Sequence, residues 1–245
     1  MINFWICSNE MTFGEWHSQF IPNEIEQLQD FTSSFLAISE KHGFIQMGIF
    51  EEDQPSEAAR IAYLKRVDEL FGKQIGYHSL NWPSMNMDSP NGPLFKTFDK
   101  VAVYDEQGNL TLNNIADLGK VLSEVNPKGI DSDFSAADCS LVKVWCNSLP
   151  QKKVGQVPFS ISIVLRSNLL FPKVPILWPL SKEWAKLEAT NNNLELAQAN
   201  APRFNAWLME VKALIQDHGG IWEFSTPFGN AARYEAYLSP DGVLL

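Results

Sequence analysis

The sequence lacks the short motifs that build nucleotide, metal and nucleophile sites. It contains no G-x-x-x-x-G-K-[ST] loop and no G-x-G-x-x-G turn, so no nucleotide-binding site is indicated. It contains no H-E-x-x-H pair, and no two of its four histidines are close in sequence, so no metal site is indicated. The G-x-S-x-G elbow of serine hydrolases is absent as well. The sequence therefore predicts neither a cofactor nor a metal ion.

Cysteine and long apolar runs are also scarce. The three cysteines, Cys7, Cys139 and Cys146, are an odd number without framework spacing, which is typical of reduced thiols. No apolar run approaches the ~18 residues that span a bilayer. The first seven residues lack the basic segment and long apolar core of a signal peptide. These absences predict a cytoplasmic protein that does not bind membranes.

The sequence is also poor in positive charge, and the resulting excess of negative charge is unevenly distributed along the chain. The formal net charge is −10 at pH 7. Residues 1–60 contain ten Asp and Glu against two Lys and Arg, whereas residues 61–245 contain nineteen against seventeen. An acidic field of this kind disfavours nucleic acids and anionic membranes and favours a basic protein partner. A solvated acidic face without any partner is the simpler alternative.

The clearest architecture in the sequence is its C-terminal fifth, residues 202–242. Apolar residues recur there at the spacing of one helix face, with Pro202 in the first turn and His218-Gly219 at the end. A strand at 221–224 follows, then a turn, a second strand at 232–238 and a further turn at 239–242. The residues of the helical stripe are Phe204, Trp207, Leu208, Val211, Leu214 and Ile215.

The rest of the chain alternates between helical and strand patterns. Helices are predicted at 23–42, 55–72, 114–125 and 181–198, the first with a capping box formed by Asn23 and Glu26. Strands are predicted at 2–7, 44–50, 74–80, 100–104, 110–112, 141–146 and 157–166, whereas residues 8–21 are predicted to be irregular. No linker composition marks a boundary. The prediction is a single α+β domain over residues 1–245, with a mixed or mostly antiparallel sheet packed against four to five helices.

A long segment without regular pattern, residues 81–98, is the most unusual part of the sequence. It contains three prolines and several apolar side chains that look exposed. Loops of this length are uncommon inside a compact domain and are often functional. A surface loop pinned by its aromatic residues is the alternative.

These observations favour a protein that binds another protein rather than an enzyme. The specific hypothesis is an immunity-type neutraliser of a basic toxin or nuclease, in which carboxylates steer the partner and apolar side chains anchor it. The predicted partner-binding residues are Glu51, Glu52, Asp53, Trp82, Met85, Met87 and Asp88.

Two alternatives remain open at this stage. One is an enzyme whose site is assembled around the 81–98 loop from His78, Asp88 and Tyr104. Glu223, between Trp222 and Phe224, could be a general acid only if buried, and strand alternation predicts that it points outward. The other alternative is a structural, phage-type assembly protein. The oligomeric state is not predicted.

Overall fold

The fold is described from a computed structural model, which describes residues 12–44, 100–105, 107–114, 141–146, 153–173, 193–225 and 235–245. Two helices lie within these ranges, α1 (Ile25–Lys41) and α2 (Leu194–Asp217). The strands are β1 (Gly14–Phe20), β2 (Lys100–Tyr104), β3 (Leu110–Asn114), β4 (Val142–Cys146), β5 (Phe159–Leu165), β6 (Ile221–Ser225), β7 (Leu238–Ser239) and β8 (Gly242–Val243).

Among the described residues, the main sheet contains four antiparallel strands in the order β4-β5-β1-β6. The hairpins β2-β3 and β7-β8 form two further small antiparallel sheets. In the main sheet Trp16 pairs with Ile163, and Phe20 pairs with Phe159, so the large side chains of β1 and β5 share one face. Both helices cover that face, because Phe204 of α2 packs against Trp16 and Phe31 of α1 packs against Phe20.

The predicted fold class is wrong in its helices. In place of four to five helices around a sheet, the described part of the chain contains two helices, of 17 and 24 residues, and several small antiparallel sheets. The predicted helices at 55–72 and 114–125 lie outside the described residues, except that Asn114 ends β3.

One cause of the error is Pro202, which was expected to begin a new helix. It lies inside α2, which continues through it. An interior proline removes one helical hydrogen bond and costs ~3 kcal/mol in isolation. Here Ala201 and Phe204 are fully buried on either side of it, and burial of that continuous face offsets the cost.

The strand β1 was missed, because residues 8–21 were expected to be irregular. Its buried positions are Gly14, Trp16, Ser18 and Phe20, which alternate as in any half-buried strand. Two of the four positions that face the core carry glycine or serine. The alternation of apolar residues is therefore too sparse to identify a strand from sequence.

The apolar stripe of α2 and the C-terminal ends of both helices are predicted correctly, the ends to within one residue. Leu28, Phe31 and Phe35 of α1 are fully buried, and so are all but one residue of the α2 stripe. Gly43 (φ 70°) and Gly219 (φ 71°) follow the two helices in the left-handed conformation. The predicted capping box is wrong, because Glu24 precedes α1 without a side-chain cap and Gln27 accepts a hydrogen bond from the Asn23 N–H instead.

Some of the predicted strands are confirmed, one is wrong, and others lie outside the described residues. The hairpin at 100–112, the strands at 141–146 and 157–166, and the strand at 221–224 are confirmed with shifts of one or two residues. The strand predicted at 232–238 is wrong where it is described, because residues 235–237 form a 3₁₀ turn and β7 begins at Leu238. The strands predicted at 2–7 and 74–80 lie outside the described residues, and so does the strand predicted at 44–50 apart from Phe44, which is not in a strand.

Two asparagines of α2 fasten the smaller sheets to the helix. Asn200 accepts a hydrogen bond from the Ala102 N–H (2.8 Å) and donates one to the Ala102 carbonyl (2.9 Å). Asn205 makes the same pair of bonds with Val243, both at 2.8 Å. In each case a side-chain amide takes the place of a neighbouring strand and satisfies both backbone groups of one strand residue.

Candidate functional site

The predicted partner-binding residues cannot be placed. All of them lie outside the described residues: Glu51, Glu52, Asp53, Trp82, Met85, Met87 and Asp88. His78 of the alternative enzyme site lies outside as well. These assignments stay predictions.

Tyr104, the third residue of the alternative enzyme site, is at the end of β2. Its hydroxyl donates a hydrogen bond to Glu195 Oε2 at 2.8 Å. This bond to a carboxylate, together with the carboxylate's charge, raises the pKa of Tyr104 above its usual value of 10.0. A phenolic general base or nucleophile requires the opposite shift. In this arrangement Tyr104 serves as a hydrogen-bond donor that joins β2 to α2.

The described part of the acidic first quarter presents an exposed carboxylate surface at the start of α1. Glu24, Glu26 and Asp30 are all exposed, and we call these three residues the acidic helix face. They lie opposite Leu28 and Phe31, which are buried in the core. No described Lys or Arg lies within ion-pair distance of the three carboxylates. The helix dipole stabilises Glu24 and Glu26 at the N-terminus of α1, so the fold accommodates these two carboxylates without a partner.

The other end of α1 carries a neutralised acidic group. Glu210 of α2 accepts a hydrogen bond from Lys41 Nζ at 2.7 Å, and its Oε1 lies 3.0 Å from His42 Nε2. These two neighbours lower the pKa of Glu210 from its usual value of 4.5. The three side chains join the C-terminus of α1 to the middle of α2. We therefore assign this cluster to stability.

The lowered pKa of Glu210 predicts a pH effect on stability. Its contribution is present above pH 4.5 and is lost as the pH falls through the lower pKa of the folded state, because protonation removes the attraction to Lys41. Since the Glu210 side chain is 38% exposed, solvent screening keeps the effect to about 0.5 kcal/mol. Urea unfolding from pH 6 to pH 3 is expected to show a smaller acid-induced loss in Glu210→Gln than in the wild type. Glu235→Gln, at an exposed position, should behave as the wild type; equal losses in all three proteins would contradict the assignment.

The face of the main sheet that lies away from α1 and α2 carries a polar cluster that the sequence did not predict. His17 of β1 lies between Ser162 of β5 and Glu223 of β6 in the strand register. Ser162 Oγ is 2.7 Å from His17 Nδ1, and Glu15 Oε1 is 3.3 Å from His17 Nε2. We call Glu15, His17 and Ser162 the sheet-face cluster. Its signal in the sequence is the alternation of Glu15 and His17, which has meaning only if residues 14–20 form a strand.

Glu223 is exposed, as strand alternation predicted, and Trp222 and Phe224 are half-buried on the opposite face. A carboxyl group in that environment does not meet the requirement for a buried general acid. It contributes negative charge beside His17 instead.

Known classes of site and known proteins give no further guide. In the described ranges, no three His, Cys, Asp or Glu residues are arranged to hold a metal ion. Neither α1 nor α2 is long and apolar enough to cross a membrane. No protein-family model, curated protein or solved structure matches the chain.

Proposed function

We propose that this protein binds a basic protein partner through its acidic N-terminal quarter, as a cytoplasmic immunity-type neutraliser of a toxin or nuclease. The observation that supports the proposal is the distribution of charge. Residues 1–60 have a net charge of −8, whereas the remaining 185 residues have a net charge of −2. A protein that needed only solubility could spread its charge over the whole surface. Concentration in one quarter favours one directed interaction.

The acidic helix face is the exposed part of this charge that the described residues include. Glu24, Glu26 and Asp30 are exposed without described cations around them. Such carboxylates raise the association rate of a cationic partner and repel nucleic acid and anionic lipid. Steering alone gives little affinity, so apolar contacts must supply the rest. We assign that role to Trp82, Met85 and Met87, and we assign a steering role to Glu51, Glu52, Asp53 and Asp88.

Charge neutralisation of the acidic helix face tests this proposal. The variant combines Glu24→Gln, Glu26→Gln and Asp30→Asn, which remove three charges and keep the side-chain shapes. The partner is first captured from lysate of the native host on the immobilised wild-type protein and identified by mass spectrometry. We expect a partner with a basic isoelectric point. Its association rate should fall about tenfold in the variant, because long-range attraction is lost. The difference should shrink as salt is raised from 50 to 500 mM.

A matched control removes the same number of charges from exposed positions elsewhere, by Asp217→Asn, Glu223→Gln and Glu235→Gln. If the control slows association as much as the variant, overall charge rather than this face is responsible. An acidic partner, or binding that is independent of salt, would contradict the proposal. Neutralisation is tested separately, by asking whether co-expression protects cells from the toxic activity of the partner.

The two alternatives give different results in simple measurements. An assembly protein would form defined oligomers in light scattering at high concentration. An enzyme built around the 81–98 loop would lose activity when His78 or Asp88 is replaced by alanine, without a change in partner binding.

A further inference from the structure

In the sheet-face cluster, a hydroxyl, an imidazole and a carboxylate follow one another, as a nucleophile, a base and an acidic group do in a catalytic site. Ser162 Oγ lies 2.7 Å from His17 Nδ1, and His17 Nε2 lies 3.3 Å from Glu15 Oε1. The imidazole therefore lies between a hydroxyl and a carboxylate, each close to a different ring nitrogen. Hydrolases of unrelated folds also activate a serine with an imidazole that lies between a hydroxyl and a carboxylate, although there the hydroxyl meets Nε2 and the carboxylate meets Nδ1.

The fold fixes this geometry through the buried side of the same strands. Glu15 and His17 are two residues apart on β1, so they point to the same face. His17 is directly opposite Ser162 across the β1-β5 pairing. The register cannot slip, because a shift of one residue would turn Trp16 and Ile163 out of the core. The side chains are thus held on two central strands rather than on loops.

The charge of Glu15 favours one of the two tautomers of His17. A carboxylate attracts an N–H and repels a nitrogen lone pair, so Glu15 favours the neutral imidazole that has its proton on Nε2. Nδ1 then presents its lone pair to Ser162, and the Ser162 hydroxyl donates the hydrogen bond. In this state His17 is able to accept the Ser162 proton. The positive imidazolium that would result faces Glu15, with Glu223 at the opposing register position on β6.

We propose that Ser162 is a nucleophile that takes the acyl group from small activated esters, with His17 as the general base and Glu15 as a positioning residue. Ser162 Oγ forms a bond to the acyl carbon while its proton moves to His17 Nδ1. The ester C–O bond breaks, and the leaving alcohol or phenol takes that proton. Water then attacks the acyl-serine, His17 receives a proton from the water, and Ser162 recovers it as the carboxylic acid leaves. The reaction consumes only ester and water.

The surroundings of Ser162 define the class of ester. Ser162 pairs with His17 on one side and Trp145 on the other, so its backbone groups belong to the sheet and offer no oxyanion hole. Only esters with a good leaving group, such as aryl esters, can react without that stabilisation. The His17 side chain is 45% exposed, which gives small molecules access. Because Glu15 and Glu223 repel anions, the ester should be neutral or cationic.

The probe for this proposal is 4-nitrophenyl acetate with the full-length protein. We expect release of 4-nitrophenol and acetylation of Ser162, located by peptide mass spectrometry. Ser162→Ala should abolish that label, and His17→Gln should slow acylation by about 100-fold or more, the usual contribution of a general base. Ser160→Ala is the matched control, since Ser160 lies two residues away on the same face of β5. It should react like the wild type.

One readout separates this chemistry from an ordinary cross-strand hydrogen bond. The ¹⁵N shifts of the His17 ring should show the proton on Nε2 in the wild type and less of that tautomer in Glu15→Gln. Equal acetylation of Ser160 and Ser162, or label on lysines alone, would overturn the proposal. So would an unchanged rate in a folded His17→Gln variant. None of these results depends on whether a basic partner binds.

Discussion

The Trp207→Ala variant is expected to unfold with a free energy lower by about 3–5 kcal/mol, as for other large aromatic deletions from a core. Trp207 is fully buried where α2 crosses α1. Its ring lies 4.8 Å from the ring of Phe44 and 6.3 Å from that of Phe35. Its Nε1–H donates a hydrogen bond to Ser39 Oγ at 3.0 Å. Truncation removes these contacts together and leaves a cavity that rigid helices cannot fill.

A second variant separates the apolar contribution from the hydrogen-bond contribution to this loss, and a third serves as a control. Trp207→Phe keeps most of the apolar contact and removes the hydrogen bond, so it should lose about 1–2 kcal/mol. Ser39 keeps its own hydrogen bond to the Phe35 carbonyl at 2.7 Å, which limits the penalty. Met209→Ala is the matched control, because Met209 is two residues along the same helix and 57% exposed. It should change stability by less than about 0.5 kcal/mol. Urea unfolding followed by far-ultraviolet circular dichroism measures all three. A similar loss in Met209→Ala and Trp207→Ala would contradict this account of the core.

The second large effect is expected at Asn200, and its cause is polar. The Asn200→Leu variant should lose about 2–5 kcal/mol, because both backbone groups of Ala102 would be left buried without a partner. Asn200 is fully buried and also donates to the Leu196 carbonyl at 2.9 Å. All of its hydrogen-bonding groups are therefore used. Leucine has a similar volume, so the loss reports the hydrogen bonds rather than a cavity.

Asn205 provides a control, because it makes the same pair of hydrogen bonds but is less buried than Asn200. Its pair of hydrogen bonds with Val243 is only partly buried, so water can replace it in the Asn205→Leu variant. We expect the Asn205→Leu loss to be less than half of the Asn200→Leu loss. The comparison uses the same urea unfolding measurement. Equal losses would show that burial does not set the cost of these contacts.

Several elements of the fold could be predicted because their signals are local. The α2 stripe, the alternation in β5 and the glycines after both helices each depend on residues a few positions apart. The acidic helix face has the same local origin, since acidic residues at the start of an amphipathic helix must face solvent. Such patterns determine which face of an element is buried. They do not determine which element covers it.

The helix boundaries show where local signals fail. Pro202 predicts a helix start because proline is favoured in the first turn, yet α2 extends from Leu194 to Asp217. Propensity is worth a few kcal/mol at most, and burial of a continuous apolar face outweighs it. The prediction also failed at β1, where a strand exists although the local sequence does not indicate one. Gly14 and Ser18 have no strand preference, and only pairing on both sides makes these residues a strand.

By itself, the sequence determined the acidic imbalance, the apolar helix faces and the absence of nucleotide and zinc motifs. It also led to the partner-binding residues at 51–53 and 82–88, which remain predictions. Only the tertiary structure brought Ser162 within 2.7 Å of His17, across 145 residues of chain. The physical reason is that the strand register sets this contact, and the register depends on how the opposite faces of β1 and β5 pack into the core. No pattern within either strand contains that information.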